Sequence, residues 1–360
     1  MFQRDTFKCL TQLSLAYPKQ VVKNCQACFE QCWLFIQNLS TEYYNRAIAT
    51  ENIEAIEDSD GETGGIEGVI TSLLDFVTQI FEIKSFKKLV ESGLPPLIPS
   101  VMTFLQPSAS QIEQWNDDPD KFVEDEDDDG FTSSIRTSAL DLLLYVAKDF
   151  LQILLPPLLQ YVSEASKPNA SWQQKESAYY IIGSISEGFD EEIMSKFNIE
   201  HYLATTVLPD LTKVTNPFLL GRSLWFAGRF ADKIKPELTQ QFLEATVTGL
   251  NPQQNVIVRI QASRAIFEFS VKIPGNRFVK TSIYFNHHIL ENTQHLLKPY
   301  MSRILSNLID LASKSSDESL CLILEVLGAC IEVDEDTSAQ FAPQISDLIL
   351  AMLTNKRSVK

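Results

Sequence analysis

Four stretches decide how this chain folds: SSIRTSALDLLLYVAKDF (133–150), SWQQKESAYYIIGSISEGF (171–189), NPFLLGRSLWFAGRFADKI (216–234) and NVIVRIQASRAIFEFS (255–270). Each reads as an amphipathic helix, and each carries a small residue at a matching place: Ala139, Ala178, Ser223 and Ala262, spaced 39, 45 and 39 residues apart. A small side chain there lets a paired helix approach closely. Apolar residues at i, i+3, i+4 and i+7, such as Leu220, Leu224 and Ala227, form the stripe that faces it.

Partner helices lie between these stretches, at 150–165, 201–214 and 236–250. Pro236 suits a first turn, whereas Pro156 and Pro157 are expected to break or kink their helix. Paired helices at this period are the signature of HEAT or armadillo arrays, in which neighbouring units supply the missing half of each core. The expected fold is therefore all-α, a HEAT-repeat (armadillo-like) superhelical solenoid over residues 1–360. Outside the central units, residues 5–37 read as two helices around Tyr17-Pro18, and 66–105 as two more with a stop at Gly93 to Pro96. Residues 316–331 and 342–353 read as a final pair, and about 273–299 as an inserted loop.

Composition agrees. Only 13 of 360 residues are glycine, roughly half of what an average share of ~7% gives, and tight turns and nucleotide loops consume glycine. With 44% hydrophobic residues the chain can bury a large core. No uninterrupted apolar run approaches the roughly 18 residues of a spanning helix, and FQRDTFKCL after Met1 does not read as a signal peptide, so a protein that is neither secreted nor embedded is expected. Five of the six cysteines (Cys9, Cys25, Cys28, Cys321, Cys330) fall in apolar helical segments, which suits a reducing compartment.

The net charge of −17 is local. Residues 113–129 hold ten acids against one base, Lys121; residues 51–62 hold six acids and 332–336 four, with no base in either. A near-neutral scaffold thus carries acidic loops, at about 50–65 and 113–130 and again at 332–336. The densest is FVEDEDDDGF (122–131). Such a run is either a solvated loop that aids solubility or a surface for cationic proteins. Trp115, Phe122 and Phe131 can pin its ends to the body. The candidate contacts are Asp117, Asp118, Asp120, Glu124, Asp125, Glu126, Asp127, Asp128 and Asp129. The calcium-loop pattern is not met, because no acid stands at its final position.

Other chemistry finds little support. Cys25, Cys28 and Cys32 share one helix face, but the histidines (His201, His287, His288, His295) are distant in sequence, so packed thiols and no metal are expected. No nucleophile elbow, phosphate loop or metalloprotease motif appears, so the protein reads as no enzyme and needs no cofactor. The charge disfavours nucleic acid. Trp172 and Trp225 lie on repeat helices, where a large aromatic at helical spacing reads more often as core.

Residues 114–143, 208–230, 236–250 and 258–269 resemble the middle of receptors of the importin-β (karyopherin) superfamily, in its importin-9 branch. The first pairs tryptophan, Asp-Pro and an acidic cluster ahead of a helix, and the likeness spans roughly residues 100–350. The resemblance implies nuclear import, with shuttling between cytoplasm and nucleus through the pore. It also implies basic cargo such as core histones and ribosomal proteins, whose charge is masked in a chaperone-like way. Release would come from Ran in its GTP form, and FG-repeat nucleoporins would be further partners. Glu124 to Asp129 would be the acidic mid-solenoid loop that meets cargo or Ran, Trp172 and Trp225 would be contacts for a cargo peptide, and the chain would correspond to a central part of such a receptor. A static HEAT scaffold subunit for complex assembly is the alternative.

Overall fold

The computed structural model describes residues 2–24, 26–49, 65–126, 134–186, 197–272 and 294–354, and all regular structure among them is helical. The chain divides into two compact units, Met1–Asp117 with Glu124–Phe197, and Asp118–Val123 with Asn198–Lys360.

The helices of the first unit are α1 (Phe2–Ala16), α2 (Pro18–Asn24), α3 (Gln26–Tyr43), α4 (Ile66–Phe81), α5 (Lys87–Phe104) and α6 (Ala109–Asp117). The short α7 (Pro119–Asp125) crosses the division, and α8 (Ile135–Ala165) and α9 (Trp172–Ile185) complete the unit. Pairing follows the apolar stripes: α1 packs on α4, α3 on α5, both α4 and α5 on α8, and α8 on α9. On α4 the buried residues Ile70, Leu73, Leu74, Val77 and Ile80 recur at helical spacing. Phe29 of α3 stacks on Phe76 of α4, with ring centroids 5.7 Å apart. Starts are set by capping. Ser134 and Thr137 form a reciprocal box at the head of α8, and Ser171 accepts from the Gln174 amide at the head of α9.

In the second unit α10 (Ile199–Tyr202) passes through a π-helical stretch, Leu203–Val207, into α11 (Leu208–Lys213). Then come α12 (Pro217–Arg229), α13 (Pro236–Gly249), α14 (Val256–Lys272), α15 (Gln294–Leu297), α16 (Met301–Lys314), α17 (Asp317–Val333) and α18 (Glu335–Thr354). One row runs α12 to α14 to α17; α13 packs on α12 and α14, and α16 on α17 and α18. This is the two-helix repeat that the period implies. Ala139, Ala178, Ser223 and Ala262 are all fully buried. A Cβ at Gly228 of α12 would come within 2.9 Å of the Ala265 backbone on α14, so this row packs backbone to backbone.

Several boundaries differ from the sequence reading. Helix α5 runs through Gly93 to Pro96 without stopping. Pro95, Pro96 and Pro99 face solvent, as do Glu91, Ser92 and Pro95, whose carbonyls lose their amide partners to those prolines, so water can replace them. The turn falls earlier, at 82–86. In α8 the break lies at Phe150 (φ −136°, ψ 33°), not at Pro156-Pro157, which continue the second half of the helix. Residues 332–336 form no loop: they are the corner between α17 and α18, where Asp334 accepts from the amide and hydroxyl of Thr337. The inserted loop ends sooner than expected, since the chain is helical from Gln294; residues 273–293, and the acidic stretch 51–62, lie outside the described residues.

By length and composition alone α8 is apolar enough to cross a bilayer. It is broken at Phe150 and packed against α4, α5 and α9, as a core helix is.

Candidate functional site

The acidic segment 113–129 is largely helical where it is described, and its carboxylates divide into two groups. Glu113, Asp117 and Asp118 are exposed, on or beside the end of α6. Asp120, Asp125 and Glu126 are bound into the fold, and Glu124 is half-buried. Asp127, Asp128 and Asp129, with Phe131, lie outside the described residues.

Asp125 is buried and accepts from the indole Nε1 of Trp115 at 2.8 Å. The Glu126 carboxylate meets Arg136 Nη2 at 3.4 Å, with both side chains only 1% exposed. Arg136, on the first turn of α8, is the hub of this region. Its Nη1 and Nη2 donate to the two oxygens of Glu176 on α9 at 2.9 and 2.7 Å, and Nη1 also donates to the Leu105 carbonyl at 2.5 Å. Its guanidinium lies over the Tyr180 ring at 4.2 Å and near the Trp115 ring at 5.7 Å. Burial works to lower the pKa of this guanidinium, but the Glu176 and Glu126 carboxylates outweigh it and hold the group above its ordinary value. The forked geometry of arginine serves two carboxylates and a helix-end carbonyl at once. Leu105 terminates α5, whose last turn also meets Tyr161, hydrogen-bonded to Ser177 at 2.7 Å.

Asp120 is engaged differently. Its Oδ2 accepts from the Ser316 hydroxyl at 2.5 Å and its Oδ1 from the Ser319 amide at 3.0 Å, so it caps α17 through an amide 199 residues away.

Of the nine candidate contact acids, Asp125 and the Glu126 side chain are buried in the fold, and Asp127 to Asp129 lie outside the described residues. Asp120, Asp125 and Glu126 find partners 10 to 199 residues away, because a carboxylate beside an indole N–H, a guanidinium or a helix N-terminus is more stable there than against its neighbours' charge. As placed, Asp125 and the Glu126 side chain are out of reach of a bound protein. Trp115 and Phe122 do anchor the segment, at 1% and 3% exposure.

The tryptophans part company too. Trp172 opens α9 and is half-buried. Trp225 is half-buried with the guanidinium of Arg222 at 4.7 Å from its ring and that of Arg229 at 6.0 Å, so cations of its own helix already lie over it. Cys32 is buried, Cys25 and the Cys28 side chain are not among the described residues, and neither are His287, His288 and the His295 side chain. Among the described residues, no group of His, Cys, Asp and Glu is placed to hold a metal.

Two features were not foreseen. Arg259 of α14 repeats the work of Arg136: it donates to the Leu250 carbonyl at the end of α13, to the Asn307 carbonyl and to Asp310 at 2.8 Å. The common signal is arginine three residues before the small residue, at Arg136 and Ala139 and at Arg259 and Ala262. The second unit also holds a groove of about 590 Å³, floored by Leu208, Leu211 and Leu224 and edged by Glu237, Gln241 and Glu244.

A family model described as importin-9 central HEAT repeats matches residues 92–356. Importin-9 of Drosophila melanogaster is 24% identical over 369 residues, covering 98% of this chain and 35% of that protein. Importin subunit beta-5 of Schizosaccharomyces pombe is 24% identical, over 97% of the chain and 33% of the relative. Both alignments take in the first hundred residues as well. The crystal structure of Kap121p superposes with a TM-score of 0.59 at 18% identity, covering 98% of this chain and 30% of Kap121p. The chain thus spans about a third of the length of these relatives. Its paired helices, the fully buried small residues at each repeat and the family match over most of its length lead to one conclusion: the chain belongs to the importin-9 family, aligned with that family's central HEAT repeats.

Proposed function

We propose that this chain acts by binding, as part of a nuclear import receptor for basic proteins such as core histones and ribosomal proteins. The observation that carries this is the exposed acidic corner at Glu113, Asp117 and Asp118, which continues in sequence into Asp127 to Asp129. A cationic partner relieves the self-repulsion of these acids, and binding masks its charge against nonspecific contact with nucleic acid. Asp120, Asp125 and Glu126 serve by holding the corner in place. The groove of the second unit, lined by leucines beside glutamines and glutamates, offers a place for the phenylalanine of a nucleoporin FG repeat. Kap121p, similar in fold, has been crystallised with RanGTP and with Nup53p, which supports extending Ran and nucleoporin partners to the whole receptor. Shuttling between cytoplasm and nucleus follows from that role.

The test separates the two groups of acids. Glu113→Gln, Asp117→Asn, Asp118→Asn and Asp127, Asp128 and Asp129→Asn are combined, leaving the three acids bound into the fold intact, and core-histone affinity is titrated against salt. The expected result is a loss of about tenfold or more near 0.1 M salt and a shallower salt dependence. Unchanged affinity sinks the reading and favours a static scaffold whose acids only solubilise.

A further inference from the structure

Residues 315 and 316 join α16 to α17, and Ser316 is exposed. Its backbone is extended (φ −125°, ψ 157°), and although it occupies the N-cap of α17 its own hydroxyl does not cap the helix. That hydroxyl donates instead to Asp120 Oδ2 at 2.5 Å, while Asp120 Oδ1 takes the Ser319 amide at 3.0 Å. A second group waits on the same turn: the Ser319 side chain is 2% exposed, and its Oγ has no hydrogen-bond partner. In sequence the serine is followed directly by two acids, in Ser315-Ser316-Asp317-Glu318-Ser319, so it is an exposed hydroxyl in an acidic setting.

We propose that Ser316 is a phosphorylation site, and that its phosphate displaces the Asp120 carboxylate from the N-terminus of α17 and loosens residues 118–123 at their Asp120 end. In the transfer the Ser316 Oγ–P bond forms as the bond between the γ-phosphorus of ATP and the ADP oxygen breaks, and the hydroxyl proton leaves to the kinase base. The ester has no proton to give Asp120, so a hydrogen bond becomes the contact of two anions. The phosphate oxygens then take the Ser319 amide and give its orphan hydroxyl an acceptor, an arrangement that the positive end of a helix favours. Helix α17 therefore stays capped while α7 loses its hold at Asp120, with Phe122 and Asp125 still seated in the fold. This exchange is independent of whether the acidic corner binds basic proteins.

The chain is treated with an acid-directed serine kinase and ATP, the phosphate is located by mass spectrometry with Ser316→Ala as the control, and hydrogen exchange is followed by peptide. The expected result is that peptides over 118–123 exchange at least about fivefold faster after phosphorylation, while those over 317–333 stay within about twofold. Asp120→Ala, which removes the cap without replacing it, should loosen both segments. The proposal fails if Ser316 stays unmodified, if 118–123 keeps its protection, or if the phosphorylated chain loosens in both segments as Asp120→Ala does.

Discussion

The indole of Trp115 donates to the carboxylate of Asp125 across 2.8 Å, inside the fold, so one acid of the densest anionic stretch in the chain faces the core. Replacing Asp125 with Ala leaves a buried N–H without its acceptor, and a loss of about 1–3 kcal/mol is expected. Asp125→Asn keeps an acceptor and should lose less. Urea unfolding followed by tryptophan emission measures both, and Asp125→Ala as stable as the parent would remove this contact from the account.

Arg136 neutralises Glu126 and Glu176 in a region that water does not reach. Arg136→Ala removes the cation that faces two buried carboxylates, at a cost of about 3–5 kcal/mol. Arg136→Lys restores charge without the fork and should fall between the two. Denaturant midpoints at pH 7 decide; a change under about 1 kcal/mol for Arg136→Ala contradicts the hub role.

Gly93 owes its place to Trp33. A Cβ there would lie 2.5 Å from Trp33 Nε1, and the indole is itself 7% exposed. Gly93→Ala should therefore destabilise by about 1–3 kcal/mol in spite of alanine's better helix propensity. In a Trp33→Leu background the same change should be close to neutral or stabilising. A double-mutant cycle with no coupling would show that the helices yield freely at this point.

Asp334 sets an acid limit. The Thr337 hydroxyl, donating at 2.7 Å, holds its carboxyl below the ordinary carboxylate value. A depressed folded pKa gives stability that is present above the unfolded value, roughly 3.9, and is lost as pH falls through the folded value. Thr337→Val should narrow the difference between stability at neutral pH and at acid pH below that range. Parallel unfolding curves at the two pH values test it, and an equal acid loss in both proteins would exclude the pair.

The repeat was legible because close helix packing forces small residues to recur: Ala139, Ala178, Ser223 and Ala262 stand out in the sequence and are all fully buried in the fold. The acidic segment was only partly legible. Composition shows where charge is dense, but Asp120 is defined by Ser319, 199 residues away, and Glu126 by Arg136, a pairing that no helical or strand periodicity announces. Gly93 to Pro96 misled for a related reason. Proline ends a helix where its lost hydrogen bond is buried, and here the bereft carbonyls belong to exposed residues, a fact about the other side of the fold.

The seam at Gly228 has a mechanical consequence. With only a hydrogen separating α12 from the backbone of Ala265, these two rods cannot slide past one another without collision. Sliding between α12 and α14 is therefore blocked, so a ligand that rearranges this pair must act on the corners that lead into the two helices, such as residues 251–255, and not on the seam.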